Sequence, residues 1–137
     1  MHELKKFTGV LVRRPGDLVG CGEQGRDTAV WCAEPLRFVA EWRCFVRYGR
    51  TLDVRLYRGD WAQAPDRPTV ERAVAAYATA PHGYALDFGL TDAGATVVVE
   101  ANEGYAIGAY GLAPVPYAKL LAARWAQLTG TPDYCAF

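Results

Sequence analysis

The pattern of hydrophobic and polar positions divides the chain into β-rich runs and helical stretches. Residues 38–48 and 52–57 are β-rich and flank Gly49-Arg50, whereas residues 84–90 and 95–101 flank the turn-forming segment 91–94. β-rich runs on either side of a short turn are typical of hairpins. The pattern therefore predicts two antiparallel hairpins. Residues 9–13 predict a further short strand, which is followed by a loop over residues 15–27.

Two other segments have hydrophobic residues at helical spacing. The first opens at residues 65–69, with Thr69 as the candidate N-cap, and is predicted to end at residues 81–83. The second is predicted over residues 116–128, with Gly130 as its stop signal. The apolar positions that define them are Val70, Ala73, Val74 and Tyr77 in the first, and Tyr117, Leu121, Trp125 and Leu128 in the second. The order strands, helix, strands, helix predicts an α+β fold, an antiparallel sheet with helices packed on it.

Composition adds the domain count and the expected compartment. The chain has 137 residues, of which 51% are hydrophobic and 22% charged, so we expect residues 1–137 to form a single globular domain. No apolar run approaches the roughly 18 residues of a membrane-spanning helix. The first six residues carry charge but no apolar segment follows them, so no secretory signal is predicted. These features favour a cytoplasmic protein that does not enter a membrane.

The charges are balanced overall but unevenly distributed. Up to Arg58 there are 11 basic and 7 acidic residues, and after it 4 basic and 8 acidic residues. This distribution gives no continuous basic field for nucleic acid, but it suits a local meeting of arginines, carboxylates, phosphate and a divalent metal. The four cysteines form no C-x-x-C pair, which argues against a zinc site.

Candidate metal ligands lie at the end of the last predicted strand. Alternation places Glu100 and Asn102 on one face of that strand. Asp87 comes opposite Glu100 if the preceding turn has two or four loop residues, in which case Thr91 faces Thr96. A three-residue loop would instead place Asp87 opposite Val99. The sequence leaves this choice open.

Opposed carboxylates on a sheet need a compensating charge. At about 5 Å they repel by roughly 3 kcal/mol at an effective dielectric constant near 20. A cation removes this repulsion, and Mg²⁺ prefers carboxylate and amide oxygens together with phosphates. The sequence therefore indicates a magnesium site made by Asp87, Glu100 and Asn102. The alternative is that Glu100 and Asn102 simply end a strand that faces solvent.

A second polar group lies on the first hairpin. Alternation places Glu41, Arg43 and Phe45 on one face, where arginine can present its planar set of donors to phosphate oxygens. Arg55 and Arg58 have opposite parity on an unbroken strand, so we expect only one of them at the site and favour Arg58. The alternative is a set of surface ion pairs, each contributing about 0–1 kcal/mol.

The order of these motifs resembles the C-terminal half of an ATP-grasp domain. Residues 41–46 (EWRCFV), then a strand ending near Arg58, a helix, residues 86–89 (LDFG) and residues 98–102 (VVEAN) follow one another. Ribosomal-protein-modifying glutamate ligases and their bacterial relatives show a similar series. The resemblance covers about residues 5–128.

The resemblance implies that ATP binds between two α+β lobes and phosphorylates an unknown carboxylate to an acyl phosphate, which an unknown amine then attacks. Asp87, Glu100 and Asn102 would be the Mg²⁺ ligands, and Arg43 and Arg58 would contact the phosphates or the acyl phosphate. The cofactors implied are ATP and Mg²⁺. The nucleotide-binding residues would be Glu41, a phosphate-binding lysine at Lys6 or Lys5, and an adenine-reading interlobe hinge that includes Trp31, Cys32, Ala33 and Glu34.

Compared with the family, the chain is expected to be truncated at its N-terminal side. A partner protein or a second copy would then supply the missing lobe, and we expect a homodimer. The leading hypothesis is an ATP- and Mg²⁺-dependent carboxylate–amine ligase unit. The alternatives are a half-domain that binds nucleotide or protein without catalysis, and a plain structural domain.

Overall fold

The computed structural model describes residues 9–22, 26, 27 and 29–137, which belong to two compact units, residues 1–36 and 37–137. The first unit contains a short 3-10 helix, Pro15–Leu18. The predicted strand at residues 9–13 is wrong, since these residues have no regular secondary structure. At their end, the backbone N–H groups of Arg13 and Arg14 donate to the carboxylate of Asp17 at 2.9 and 3.1 Å. Such local side-chain bonds offer the backbone an alternative to strand pairing.

The second unit is a four-stranded antiparallel sheet with two helices, as expected for an α+β fold. The strand order is β2-β1-β3-β4, so both predicted hairpins are confirmed. Neither helix of the described residues is long and apolar enough to cross a lipid bilayer. The elements are β1 (Phe38–Arg47), β2 (Arg50–Gly59), α1 (Arg67–Ala76), β3 (Gly83–Thr91), β4 (Thr96–Glu103) and α2 (Pro114–Thr129).

The turn between β1 and β2 consists of Tyr48 and Gly49, one residue earlier than predicted. Both have positive φ, 49° and 71°, and Arg47 pairs with Arg50. Two left-handed residues give a two-residue turn whose twist matches that of the flanking strands. Glycine adopts this conformation readily, whereas Tyr48 does so only because the hairpin requires it.

The hairpin of β3 and β4 has an irregular register. Near the turn Leu90 pairs with Thr96, so the predicted pairing of Thr91 with Thr96 is wrong. Thr91 bonds to Ala95 instead, through its backbone N–H at 2.9 Å and its hydroxyl at 3.0 Å. A β-bulge at Val99 then adds one residue to β4, and beyond it Asp87 pairs with Glu100. The predicted opposition of these carboxylates is therefore confirmed, although the loop geometry expected to produce it is not.

Helix α1 begins one turn earlier than Thr69. The N-cap is Asp66, whose carboxylate accepts from the backbone N–H of Thr69 at 2.9 Å and from its hydroxyl at 2.5 Å. Aspartate is among the best N-cap residues because its oxygen satisfies N–H groups that have no partner within the helix. The helix ends at Ala76, before the predicted stop, because the N–H of Tyr77 bonds to the carbonyl of Val74 in a tighter turn.

The two faces of the sheet pack against different helices. On one face, α1 covers a cluster that contains Val70, Cys44 and Phe88. On the other face, α2 places Leu120 against Phe45 and Ala85. Since side chains two residues apart share a face, the face that α2 covers continues from Phe45 and Ala85 to polar residues on β1 and β3.

The buried thiol of Cys44 should make the protein less stable at alkaline pH. Burial raises its pKa from 9.0 to about 11, because the thiolate would lose its hydration. The stabilisation from this thiol is complete below about pH 9 and is lost as the pH rises towards 11, where the unfolded chain carries thiolate. We expect a fall of up to about 2 kcal/mol in the free energy of unfolding.

Urea denaturation across this pH range measures the effect. Cys44→Ala should be less stable at neutral pH but should lose this part of the pH dependence. If both proteins lose stability equally between pH 9 and 11, the buried thiol is not the cause.

Candidate functional site

A β-bulge in β2 brings two arginines to the same face of the sheet. Arg55 pairs with Arg43, and Arg58 pairs with Glu41, because Tyr57 is an extra residue in β2. The prediction that only one of these arginines faces the site assumed an unbroken strand and is wrong. Sequence alternation missed Arg55 because a bulge adds one residue without changing the hydrophobic pattern visibly.

The centre of this face is an ion pair between β1 and β3. Arg43 donates from Nε to Oδ1 of Asp87 at 2.8 Å and from Nη2 to Oδ2 at 2.7 Å. Arg43 is 7% exposed and Asp87 2%. The hydrogen bonds to Asp87 raise the pKa of Arg43 against the opposing effect of burial. A parallel, two-bonded arrangement of this kind is the strongest geometry that arginine and carboxylate form.

The three predicted metal ligands come together beside this pair. Nδ2 of Asn102 lies 3.1 Å from Oδ2 of Asp87 and 3.4 Å from Oε1 of Glu100. In the described part of the chain, no three His, Cys, Asp or Glu side chains meet in a metal-holding group. A cation here would therefore have two carboxylates and one amide from this set.

These donors fit Mg²⁺ by their chemistry, since all three residues carry oxygen atoms. The carboxylate of Asp87 accepts three protein hydrogen bonds, and a carboxylate offers about four acceptor positions. Asn102 would have to turn its amide oxygen towards the cation. Arg43 already compensates the charge of Asp87, so the repulsion inferred from the sequence does not by itself require a metal.

A second ion pair lies next to the first on the same face. Arg58 donates from Nη1 to Oε1 of Glu41 at 2.6 Å, and the hydroxyl of Tyr57 donates to Oε2 at 3.1 Å. Burial, followed by the nearby charges of Asp87 and Glu41, raises the pKa of Tyr57. Glu41 is buried, whereas the side chain of Arg58 is 70% exposed. The head group of Arg58 is therefore accessible to a ligand.

Two tyrosine rings complete the surroundings of Arg43. The centre of its guanidinium lies 4.7 Å from the ring centroid of Tyr110 and 6.0 Å from that of Tyr57. The two rings stack on each other at 5.1 Å with an interplanar angle of 27°. Sequence analysis missed both residues. Tyr110 follows the last strand in a loop, and its only sequence signal was the turn-forming glycine beside it.

The predicted hinge and lysine belong to the other unit. Trp31, Cys32, Ala33 and Glu34 lie in an irregular, exposed segment of residues 1–36. Lys6 and Lys5 fall outside the described residues. Their proposed nucleotide contacts therefore stay predictions.

The fold and the site define an α+β protein whose sheet presents arginines, carboxylates and an amide on one face. A family model for an ATP-grasp domain, the second family of its clade, matches residues 1–120. The chain belongs to this ATP-grasp family, so the resemblance found in its motifs is confirmed. A search among curated proteins finds no match. Family membership supports a function that is ATP-dependent and ligase-like in general.

Proposed function

We propose that this protein is an ATP- and Mg²⁺-dependent carboxylate–amine ligase unit that acts through an acyl phosphate. The observation that carries the proposal is the convergence of Glu100 and Asn102 on the buried pair of Arg43 and Asp87. The exposed Arg58 on the same face adds a cationic donor. Together these residues offer both oxygen ligands for a cation and donors for phosphate.

In the proposed reaction, a carboxylate oxygen of the substrate attacks the γ-phosphorus of ATP, and ADP leaves. An amine then attacks the acyl carbon, and inorganic phosphate leaves. Arg43 and Arg58 would donate hydrogen bonds to the phosphoryl oxygens, where negative charge is concentrated. Asp87, Glu100 and Asn102 would hold Mg²⁺, which neutralises phosphate charge when bound.

The remaining nucleotide contacts are proposed from the family resemblance. Residues 31–34 would read adenine, Lys6 would contact phosphate, and Glu41 would contribute through its bond to Arg58. In the ATP-grasp fold the nucleotide binds between two lobes, so we propose that a second lobe completes the site. The homodimer predicted from the sequence would provide one, and light scattering at micromolar concentration would detect it; a monomer would contradict it.

The proposed activity predicts formation of ADP that depends on Glu100. Wild type and Glu100→Gln would be incubated with ATP, Mg²⁺ and a panel of carboxylates and amines. We expect the variant to form ADP about 100-fold more slowly, because it loses a charged ligand at the phosphates. Glu71→Gln, at an exposed position of α1, is the matched control and should behave as wild type. Equal rates in wild type and Glu100→Gln would remove Glu100 from the mechanism.

A module that binds nucleotide without catalysis is the second candidate. It is favoured by the bonds from Arg43 to both oxygens of Asp87, because a carboxylate held in this way is already satisfied. Calorimetry with ATP and Mg²⁺ separates the two functions. Tight binding without any ADP formation would favour the module.

A further inference from the structure

Tyr110 occupies a turn that most side chains avoid. The N–H of Leu112 bonds to the carbonyl of Ala109 at 2.8 Å, and the two central residues, Tyr110 and Gly111, have φ values of 42° and 86°. Glycine adopts positive φ freely, but a large aromatic residue rarely does. Conformations of this kind persist where the surrounding structure holds them and are concentrated at functional sites.

The loop on both sides of the turn is anchored in the core. Ile107 and Leu112 are buried in the cluster beneath α2. The hydroxyl of Tyr117, from α2, donates to the carbonyl of Ile107 at 2.5 Å. The position of Tyr110 is therefore fixed by packing that does not involve its own side chain, which is half exposed.

The ring of Tyr110 meets Arg43 in a direction that Asp87 does not control. Asp87 holds one edge of the guanidinium, through Nε and Nη2. The ring of Tyr110 lies 4.7 Å from the central carbon, within the range of a cation–π contact. Tyr57 stacks on that ring and is itself held by its bond to Glu41. The group is thus restrained at an edge by an ion pair and at the π-system by two stacked rings.

We propose that Tyr110 is a positioning residue that fixes the guanidinium of Arg43 for an anionic ligand. The bonds to Asp87 leave Nη1 as the nitrogen that can donate to a phosphate or carboxylate oxygen. A planar donor gives directional recognition only when its plane is fixed. The ligand class rests on the proposed function, whereas the restraint on Arg43 does not.

The test compares variants that separate the ring from the turn. Tyr110→Asn removes the ring but keeps a residue that tolerates positive φ. Tyr110→Phe keeps the ring. Tyr105→Asn is the matched control, because Tyr105 lies in the same loop and is similarly exposed.

The first measurement is NMR of the Arg43 side chain without any ligand. Tyr110→Asn should shift the Nε–H resonance, by loss of the ring current, and speed hydrogen exchange of the guanidinium several-fold. Tyr110→Phe and Tyr105→Asn should retain the wild-type exchange. Unchanged exchange in Tyr110→Asn, or equal acceleration in Tyr110→Phe, would overturn the proposal.

The second measurement is the dissociation constant of ATP with Mg²⁺. We expect Tyr110→Asn to weaken binding by about 10-fold, as for the loss of a desolvated cation–π contact, and Tyr110→Phe to bind as wild type. Faster exchange with unchanged binding would overturn the functional part of the proposal. If wild type bound no ATP, the proposed function would fail, while the exchange measurement would still decide whether Tyr110 restrains Arg43.

Discussion

Arg43→Met is expected to lower the free energy of unfolding by about 3–5 kcal/mol. The reason is the carboxylate that it leaves behind. Asp87 is 2% exposed and, of its three hydrogen bonds described above, would keep the one from Asn102. A buried charge without its partner loses hydration without compensation, which costs more than the pair contributes when intact. Urea denaturation at neutral pH measures the change.

Two further variants make this result interpretable. Arg43→Met combined with Asp87→Leu removes both charges and should recover most of the lost stability, because an apolar pair leaves nothing unsatisfied. Arg67→Met breaks the exposed pair with Glu71 and should leave the unfolding midpoint nearly unchanged. A similar small effect of Arg43→Met and Arg67→Met would show that the central pair is not the energetic centre of this face.

Mg²⁺ and ATP together should raise the Tm of the wild-type protein. A ligand that binds only the folded state stabilises it by RT ln(1 + [L]/Kd), which is about 2.7 kcal/mol at a concentration of 100 Kd. For a domain of this size the expected shift is roughly 10 °C. Mg²⁺ alone should give a smaller shift, because phosphate oxygens provide part of its coordination. Thermal denaturation monitored by circular dichroism measures both shifts.

Glu100→Gln should abolish most of this response without a large loss of stability in the absence of ligand. Glu100 lies on an edge strand and is exposed, so its replacement leaves no buried charge. Asp87→Asn would not serve here, because it also disturbs Arg43. The control Glu71→Gln should keep the full shift. If Glu100→Gln and wild type shift equally, the cation does not bind at this set of residues.

The sequence was sufficient to predict the sheet, its two hairpins and the neighbours of Asp87. Alternation on β1 placed Glu41, Arg43 and Phe45 on one face, and the register confirms that their partners share it. These features depend on local patterns that repeat over many residues, so single errors do not change them.

The rest depended on single residues and on tertiary packing. No periodic signal marks Val99 or Tyr57 as an extra residue, so neither the route to the Asp87–Glu100 pairing nor the place of Arg55 could be predicted. The N-cap was missed by one turn because both Asp66 and Thr69 are suitable residues. Tyr110 reaches Arg43 only because the loop after β4 is anchored beneath α2, and this packing is not encoded in any short motif.

The two bulges have a consequence for comparing this chain with other sequences. A single row crosses all four strands, from Leu56 through Trp42 and Phe88 to Val98, and the extra residues Tyr57 and Val99 both border it. The polar residues on one side of each bulge are therefore one step out of phase with the same strand on the other side. An alignment that keeps strict alternation along β2 or β4 will match site residues to positions on the opposite face. A gap of one residue at Tyr57 or Val99 would correct it, and relatives without either bulge must form their anion site with arginines at different positions.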